Sequence, residues 1–271
     1  MKFTVIALAS ALIALSAHAE EAKPAKAPAA APVSPKQAGR PALRARPAGD
    51  QAIKRTVADA MGFVRGMGQA ETTKTLNRMQ WSGKGQLTEG DVAYPLTRYT
   101  YTISLHLKAA REDYTRTVKG KPERSVRVLL DQDAWDEREP GVDGKPASDT
   151  AHNRRLQLAR TPFGFVRSML DADQSTVKVV DPGPTGKVTI SFAVEGTPIN
   201  ATLDRDYRPE TIAMRVDGKE IVERYGAYRD LSEYGVMFPT RWSESIDGRP
   251  HVNLTIDDGR VASYAVFSKP N

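Results

Sequence analysis

From Leu96 to Leu107 the chain reads Leu-Thr-Arg-Tyr-Thr-Tyr-Thr-Ile-Ser-Leu-His-Leu, an alternation that sets Tyr99, Tyr101, Ile103, Leu105 and Leu107 on one side. Period two is the period of a strand, because successive side chains point to opposite faces of a sheet. A slip of one residue would turn the whole apolar set outward, so such a segment is tied to one register. The same reading predicts further strands at about 77–84, 111–118, 125–135, 176–181, 186–195, 198–205, 209–217, 220–229, 236–246, 250–257 and 260–268. Asp217-Gly218, Asp247-Gly248 and Asp258-Gly259 fall between the later ones. An Asp-Gly pair is a hairpin signal, since glycine accepts the positive φ that the tight turn demands. Consecutive hairpins imply an antiparallel meander.

Two stretches switch to helical period. Asp50 is placed to cap a helix in which Ile53, Val57, Ala60, Met61 and Val64 share one face, ending near Gly66 and Gly68. Thr150 to Ala159 is compatible with helix, and Thr161-Pro162 reads as a cap followed by proline at the first helical position. Phe163, Val166, Met169 and Leu170 continue it as an apolar stripe. The fold class expected is mainly β (α+β): a long curved antiparallel sheet with two or three helices against its concave side, all in one domain at 50–271.

The N-terminal region sets the compartment. Lys2, an apolar run from Val5 to Ser16 and the small-x-small Ala17-His18-Ala19 read as a secretory signal peptide cleaved after Ala19. Its apolar run is too short for a membrane span. Residues 20–49 form a linker rich in Ala and Pro, with too little apolar bulk to repay ordering. Residues 20–50 carry six Lys or Arg against Glu20, Glu21 and Asp50, so the basic pI of about 9.4 comes largely from this tether. The domain itself is close to neutral, which argues against a nucleic-acid partner. The chain has no cysteine, hence no disulfide and no thiolate metal site. The expectation is an exported periplasmic protein, not membrane-spanning, and monomeric.

Catalytic patterns are wanting. His106, His152 and His251 lie far apart without ligand spacing, and no Gly-x-Ser-x-Gly elbow or phosphate-cradling loop occurs. Gly83-Lys84-Gly85 reads as a turn fragment. The acidic cluster Asp131, Asp133, Asp136, Glu137 and Glu139 fails as a calcium loop, because Trp135 and Asp136 stand at the fifth and sixth places. Glu112 with Asp113, and Glu220 with Glu223, fall on opposite strand faces and cannot form a shared acid pair. No metal, cofactor or catalytic residue is therefore assigned.

Two local patterns resemble a known family. One is Arg155-Leu156-Gln157-Leu158-Ala159-Arg160-Thr161-Pro162-Phe163-Gly164-Phe165. The other is Tyr225-Gly226-Ala227-Tyr228-Arg229-Asp230, continuing through Tyr234-Gly235-Val236-Met237-Phe238-Pro239-Thr240-Arg241-Trp242. The second is similar to the late hairpin of LolA-like periplasmic proteins. That likeness implies an unclosed half-barrel plugged by helices around an apolar cavity. With Trp81 to Gly85, Ala134-Trp135 and the Thr161 to Phe165 helix start in order, the chain also resembles the domain preceding some exported metallo-β-lactamase-fold hydrolases. It departs from those relatives at Phe163, often histidine there, and it lacks the His-x-His-x-Asp-His metal motif.

A half-barrel too wide for its own side chains would leave a cavity. The candidate lining is Trp81, Tyr99, Tyr101, Trp135, Phe163, Phe165, Met169, Tyr225, Tyr228, Phe238 and Trp242. Burying a twelve-carbon acyl chain there would gain roughly 9 kcal/mol before costs, at about 0.8 kcal/mol per methylene. The function expected is binding or carriage of a lipid or lipoprotein acyl chain without catalysis. The alternatives are an envelope sensing or protein-interaction module, with an envelope protein as partner, and an accessory subunit of an exported hydrolase.

Overall fold

The computed structural model describes residues 49–63, 78–182, 186–261 and 267–268. The expected export signal, nearly all of the expected tether, and Val64, Gly66 and Gly68, where the first helix is expected to end, lie outside the described residues.

Fifteen strands are described: β1 Arg78–Glu89, β2 Val92–Ser104, β3 Ala109–Val118, β4 Lys121–Leu130, β5 Asp133–Glu137, β6 Lys145–Pro146, β7 Lys178–Val180, β8 Thr189–Val194, β9 Thr197–Leu203, β10 Pro209–Val216, β11 Lys219–Gly226, β12 Arg229–Asp230, β13 Met237–Phe238, β14 Arg241–Ile246 and β15 Arg249–Val261. Thirteen form one curved antiparallel sheet in the order β6-β5-β4-β3-β2-β1-β15-β14-β11-β10-β9-β8-β7. Its two ends, β6 and β7, do not pair with each other, so the sheet stays open. β12 and β13 make a separate two-stranded ribbon. The helices are α1 Asp50–Ala60, α2 Ala151–Arg160 and α3 Pro162–Asp171. α2 packs on α3 and against β3, β4, β5 and β10, while α1 packs on α3. None of the described helices is long and apolar enough to cross a membrane.

The hairpins at Asp217-Gly218 and Asp247-Gly248 form as expected, with φ of 50° and 77° in the first and 49° and 76° in the second. Several expectations are corrected. The segment 125–135 is two strands, broken where Asp131 turns at φ 52°. β2 ends at Ser104, so Leu105 to Leu107 lie in a turn and Leu107 is 38 % exposed.

Asp258-Gly259 is no hairpin: β15 runs straight through it, with a bulge where Asp258 pairs with Ser82 and Ile256 with Gly83. Gly259 serves close packing instead, since a Cβ there would lie 2.8 Å from the Phe238 ring. Gly83-Lys84-Gly85 is mid-strand. A Cβ at Gly83 or Gly85 would stand 2.1 or 1.9 Å from a carbonyl oxygen of β15, so only glycine permits that pairing.

Helix ends follow local chemistry. α1 is preceded by Gly49 at φ 84°, and Asp50 is its first helical residue without a side-chain cap. The helix ends at Ala60 and the chain turns out of it at Gly62, whose φ of 89° favours glycine; a Cβ there would also meet the Gly235 carbonyl at 2.5 Å. At the α2–α3 corner Thr161 Oγ1 accepts the Gly164 amide at 3.0 Å, with Pro162 at the first helical position.

Candidate functional site on the inner face of the sheet

The helix-covered face collects most of the predicted lining into one cluster. Tyr99 and Tyr101 on β2 alternate inward beside Trp81 on β1, and Tyr225 on β11 pairs across with Trp242 on β14. Helix α3 lowers Phe163, Phe165 and Met169 onto them, all fully buried. Trp81 stacks on Tyr101 with centroids 5.0 Å apart and touches Phe163 at 5.7 Å. Phe163 meets Phe238 edge-on at 5.1 Å, and Trp242 meets Tyr99 at 5.4 Å. Phe165 turns the other way, to Phe192 at 5.4 Å. Such ring contacts contribute about 0.5–1.5 kcal/mol each beyond area burial.

Two predicted residues stand apart. Tyr228 is half-buried at the margin, its hydroxyl donating to the Pro209 carbonyl at 2.6 Å beneath the Arg208 guanidinium. Trp135 lies on the opposite face of the sheet. It packs with Val126, Val128 and Phe267, and its indole N–H donates to Glu137 at 2.7 Å. The reason is pairing: Trp135 opposes Val128, whereas the inward positions of β4 and β5 are Leu129 and Ala134. Trp135 therefore does not line the inner face. Two members of the acidic cluster are likewise spent on the fold. Glu137 pairs with Arg111 at 3.2 Å, and Asp136 pairs with Arg154 at 2.6 Å.

The expected wide cavity is filled by the protein's own side chains. The void among Trp81, Tyr101, Phe163, Tyr225 and Trp242 measures about 10 Å³, room for one water. A larger cavity of about 60 Å³ adjoins it. Leu87, Tyr99, Glu112, Arg127, Glu244 and His251 contribute to its walls, and Gln157 and Trp242 line both.

Around these two voids lie polar groups that strand periodicity alone does not bring together: Glu223 lines the first, and Glu112 and Glu244 line the second. Register pairs Glu223 on β11 with Glu244 on β14, both inward and both buried. Arg160, the last residue of α2, reaches both, at 3.4 Å to Glu223 and 3.6 Å to Glu244. Its carbonyl accepts the Tyr225 hydroxyl at 3.0 Å, which fixes the corner, and the Trp242 indole donates to Glu223.

Burial, then the neighbouring Glu244 charge, pushes the Glu223 carboxyl well above its usual range, against the opposing pull of Arg160. Glu223 is thus held toward its neutral form. Burial likewise raises Tyr99, Tyr101 and Tyr225, which stay protonated donors. Glu112 accepts the Tyr99 hydroxyl at 3.2 Å with one oxygen. Its other oxygen is buried without a hydrogen-bond partner, 3.6 Å from Arg127. His251 donates from Nδ1 to the Thr88 carbonyl at 2.8 Å and points Nε2 at Glu244, 3.7 Å away.

A signal for this cluster existed. Glu112, Glu223 and Glu244 each occupy an inward place in a period-two strand, between Ala110 and Tyr114, Ile221 and Tyr225, and Trp242 and Ile246. A carboxylate at a core position is the anomaly to follow. The pair Glu223–Glu244 joins two strands, so spacing along either strand does not reveal it. The assembled site sets an aromatic wall beside a small, charged, partly unsatisfied cavity.

Neither a protein-family model nor a curated protein sequence matches the chain. Among solved structures, a LolA superfamily protein from Nitrosomonas europaea is similar over 79 % of this chain and 94 % of that one, at 14 % identity and a TM-score of 0.46. LprF from Mycobacterium bovis is similar over 82 % and 98 %, at 11 % identity and a TM-score of 0.33.

Proposed function

We propose that this protein is a non-enzymatic carrier for an amphipathic lipid or a lipoprotein acyl group, working in the periplasm after export. The observation that carries the reading is the inner face itself: an aromatic wall covered by a short helix, beside a charged cavity. The likeness of its motifs to LolA-like proteins agrees with a carrier.

Magnitudes narrow the ligand. Drug-sized or larger ligands need a pocket of about 300–1,000 Å³, so uptake requires α3 to withdraw Phe163, Phe165 and Met169. Exposing three such side chains costs about 5–9 kcal/mol in total, at about 1.5–3 kcal/mol each. One twelve-carbon chain returns roughly 9 kcal/mol on the same scale, a margin of at most about 4 kcal/mol over the opening before the entropy of binding opposes it. Two or more chains leave a net gain. A diacyl or triacyl ligand is favoured over a free fatty acid, with its headgroup toward Glu112, Arg127 and His251.

The tryptophans supply the test. Trp81 and Trp242 belong to the inner wall, while Trp135 lies outside it. In a Trp135→Phe protein, a diacyl lipid brominated near the chain ends should quench the remaining fluorescence strongly, and a brominated fatty acid much less. Native mass spectrometry of protein taken from the periplasm should show the bound acyl mass. A chain that binds lipid vesicles yet shows no quenching would sink the carrier reading.

A further inference from the structure

The outer face of the same sheet carries an unneutralised basic panel. Across β11, β14, β15 and β1, register aligns Gly226, Arg241, Thr255 and Lys84 in one row. The adjacent row holds Arg224, Ser243, Asn253 and Gln86. These positions alternate with the inward Tyr225, Trp242 and Leu254, so they face away from the helices. The two rows contain three cations, neutral hydrogen-bonding side chains and one glycine, but no carboxylate. A shallow groove of about 400 Å³ runs over β11, β14 and β15. Gly226 opens it, since nothing lies within 4 Å of where its Cβ would be.

Toward β2 to β5 the charges of this face are matched: Arg98 and Arg124 share Asp113, and Arg111 pairs with Glu137. The side chains of Arg224, Arg241 and Lys84 make no ion pair or hydrogen bond among the described residues. Arg224 and Arg241 are diagonal cross-strand neighbours, roughly 7–8 Å apart, a spacing at which like charges oppose each other. The nearest acids along β15, Asp257 and Asp258, lie beyond the panel at the bulge, and Asp258 pairs with Arg260. Two arginines held side by side without a counter-charge suit an external anion.

We infer that this panel docks the protein on the phosphate headgroups of an anionic phospholipid surface. From β11 to β1 the cations spread over three strand spacings, roughly 14 Å at about 4.8 Å each, wider than one phosphate group. Guanidinium forks take phosphate oxygens bidentately, and Ser243, Asn253 and Thr255 supply neutral donors between them. The docking does not depend on what the inner face holds.

The test is co-sedimentation of the full mature chain with phosphatidylcholine vesicles, alone or with 30 % phosphatidylglycerol. Three proteins are compared: wild type, Arg224→Gln/Arg241→Gln, and a tether variant with Lys23, Lys26, Lys36, Arg40, Arg44 and Arg46 changed to Gln. Wild type should bind only the anionic vesicles, and more weakly as salt rises. Each panel arginine removed should weaken binding about fivefold, hence about 25-fold for the pair, with the circular dichroism melt unchanged. Unaltered binding by the double variant, or loss confined to the tether variant, would overturn the inference. So would release by inorganic phosphate beyond that of chloride at equal ionic strength, which would mark a free-phosphate site.

Discussion

The two ends of the inner face are built from the same period-two strands and filled in opposite ways. Toward β8, β9 and β10 the wall is uncharged and mostly aliphatic: Ile190, Ile199, Ala201, Ile212 and Met214, with the single ring of Phe192 against Phe165, are all buried in the core. Toward β3, β11 and β14 it is aromatic and charged, with Glu112, Glu223, Glu244 and Arg160 taken out of water. The first end resembles a core selected for packing. The second retains charges whose desolvation opposes their mutual attraction, and leaves polar atoms of Glu112 and Arg160 unsatisfied. A fold spends stability in that way where a ligand or a moving part has to be accommodated.

The largest effect expected is at the aliphatic end. Phe165→Ala should cost about 3–5 kcal/mol of unfolding free energy, read from urea denaturation, because a fully buried ring leaves a cavity under α3. A loss below 1 kcal/mol would mean that α3 is already loosely seated, and the contrast would collapse.

The charged end should respond to pH instead. The folded-state carboxyl of Glu223 titrates above its ordinary value of 4.5, so the native state binds the proton more tightly than the unfolded chain. Its stabilising contribution is therefore complete below that ordinary value, and stability falls as pH rises through the raised one. The slope approaches about 1.4 kcal/mol per pH unit inside this window. Glu223→Gln should flatten the decline between pH 5 and 8. An unchanged slope would show that Glu223 is ionised throughout.

Tyr225→Phe probes the join between the ends, since its hydroxyl holds the α2–α3 corner through the Arg160 carbonyl. Removing one buried hydrogen bond should cost about 1–2 kcal/mol and speed hydrogen exchange in α3 ahead of the sheet. Exchange that rises uniformly would argue against a separable helical cover.

The smallest effect belongs to Glu112→Gln. Arg127, its ionic partner, is half exposed, so the pair contributes at most about 1 kcal/mol. The melt should move little, while affinity for a lipid with a charged headgroup should fall. A large stability loss with unchanged lipid affinity would place Glu112 in the structural half of the comparison.

Much of this was legible in the chain. The alternation at Tyr99, Tyr101 and Ile103 and the Asp-Gly turns at 217–218 and 247–248 determine an antiparallel sheet, because strand period and turn chemistry are local properties. The Thr161-Pro162 helix start is local in the same sense. What the tertiary structure alone decided depends on which strand lies beside which. Trp135 reads like its aromatic peers until β5 is paired with β4, which turns it to the outer face. Asp258-Gly259 reads like its sister turns until Phe238 is laid over Gly259. Glu223 and Glu244 are separated by 21 positions in sequence and become one buried pair only through the register of β11 and β14. Arg224, Arg241 and Lys84 likewise form a panel only across four strands. Periodicity says which way a side chain points, but the partner it meets is set by long-range pairing, and with it the charge, the cavity and the candidate site.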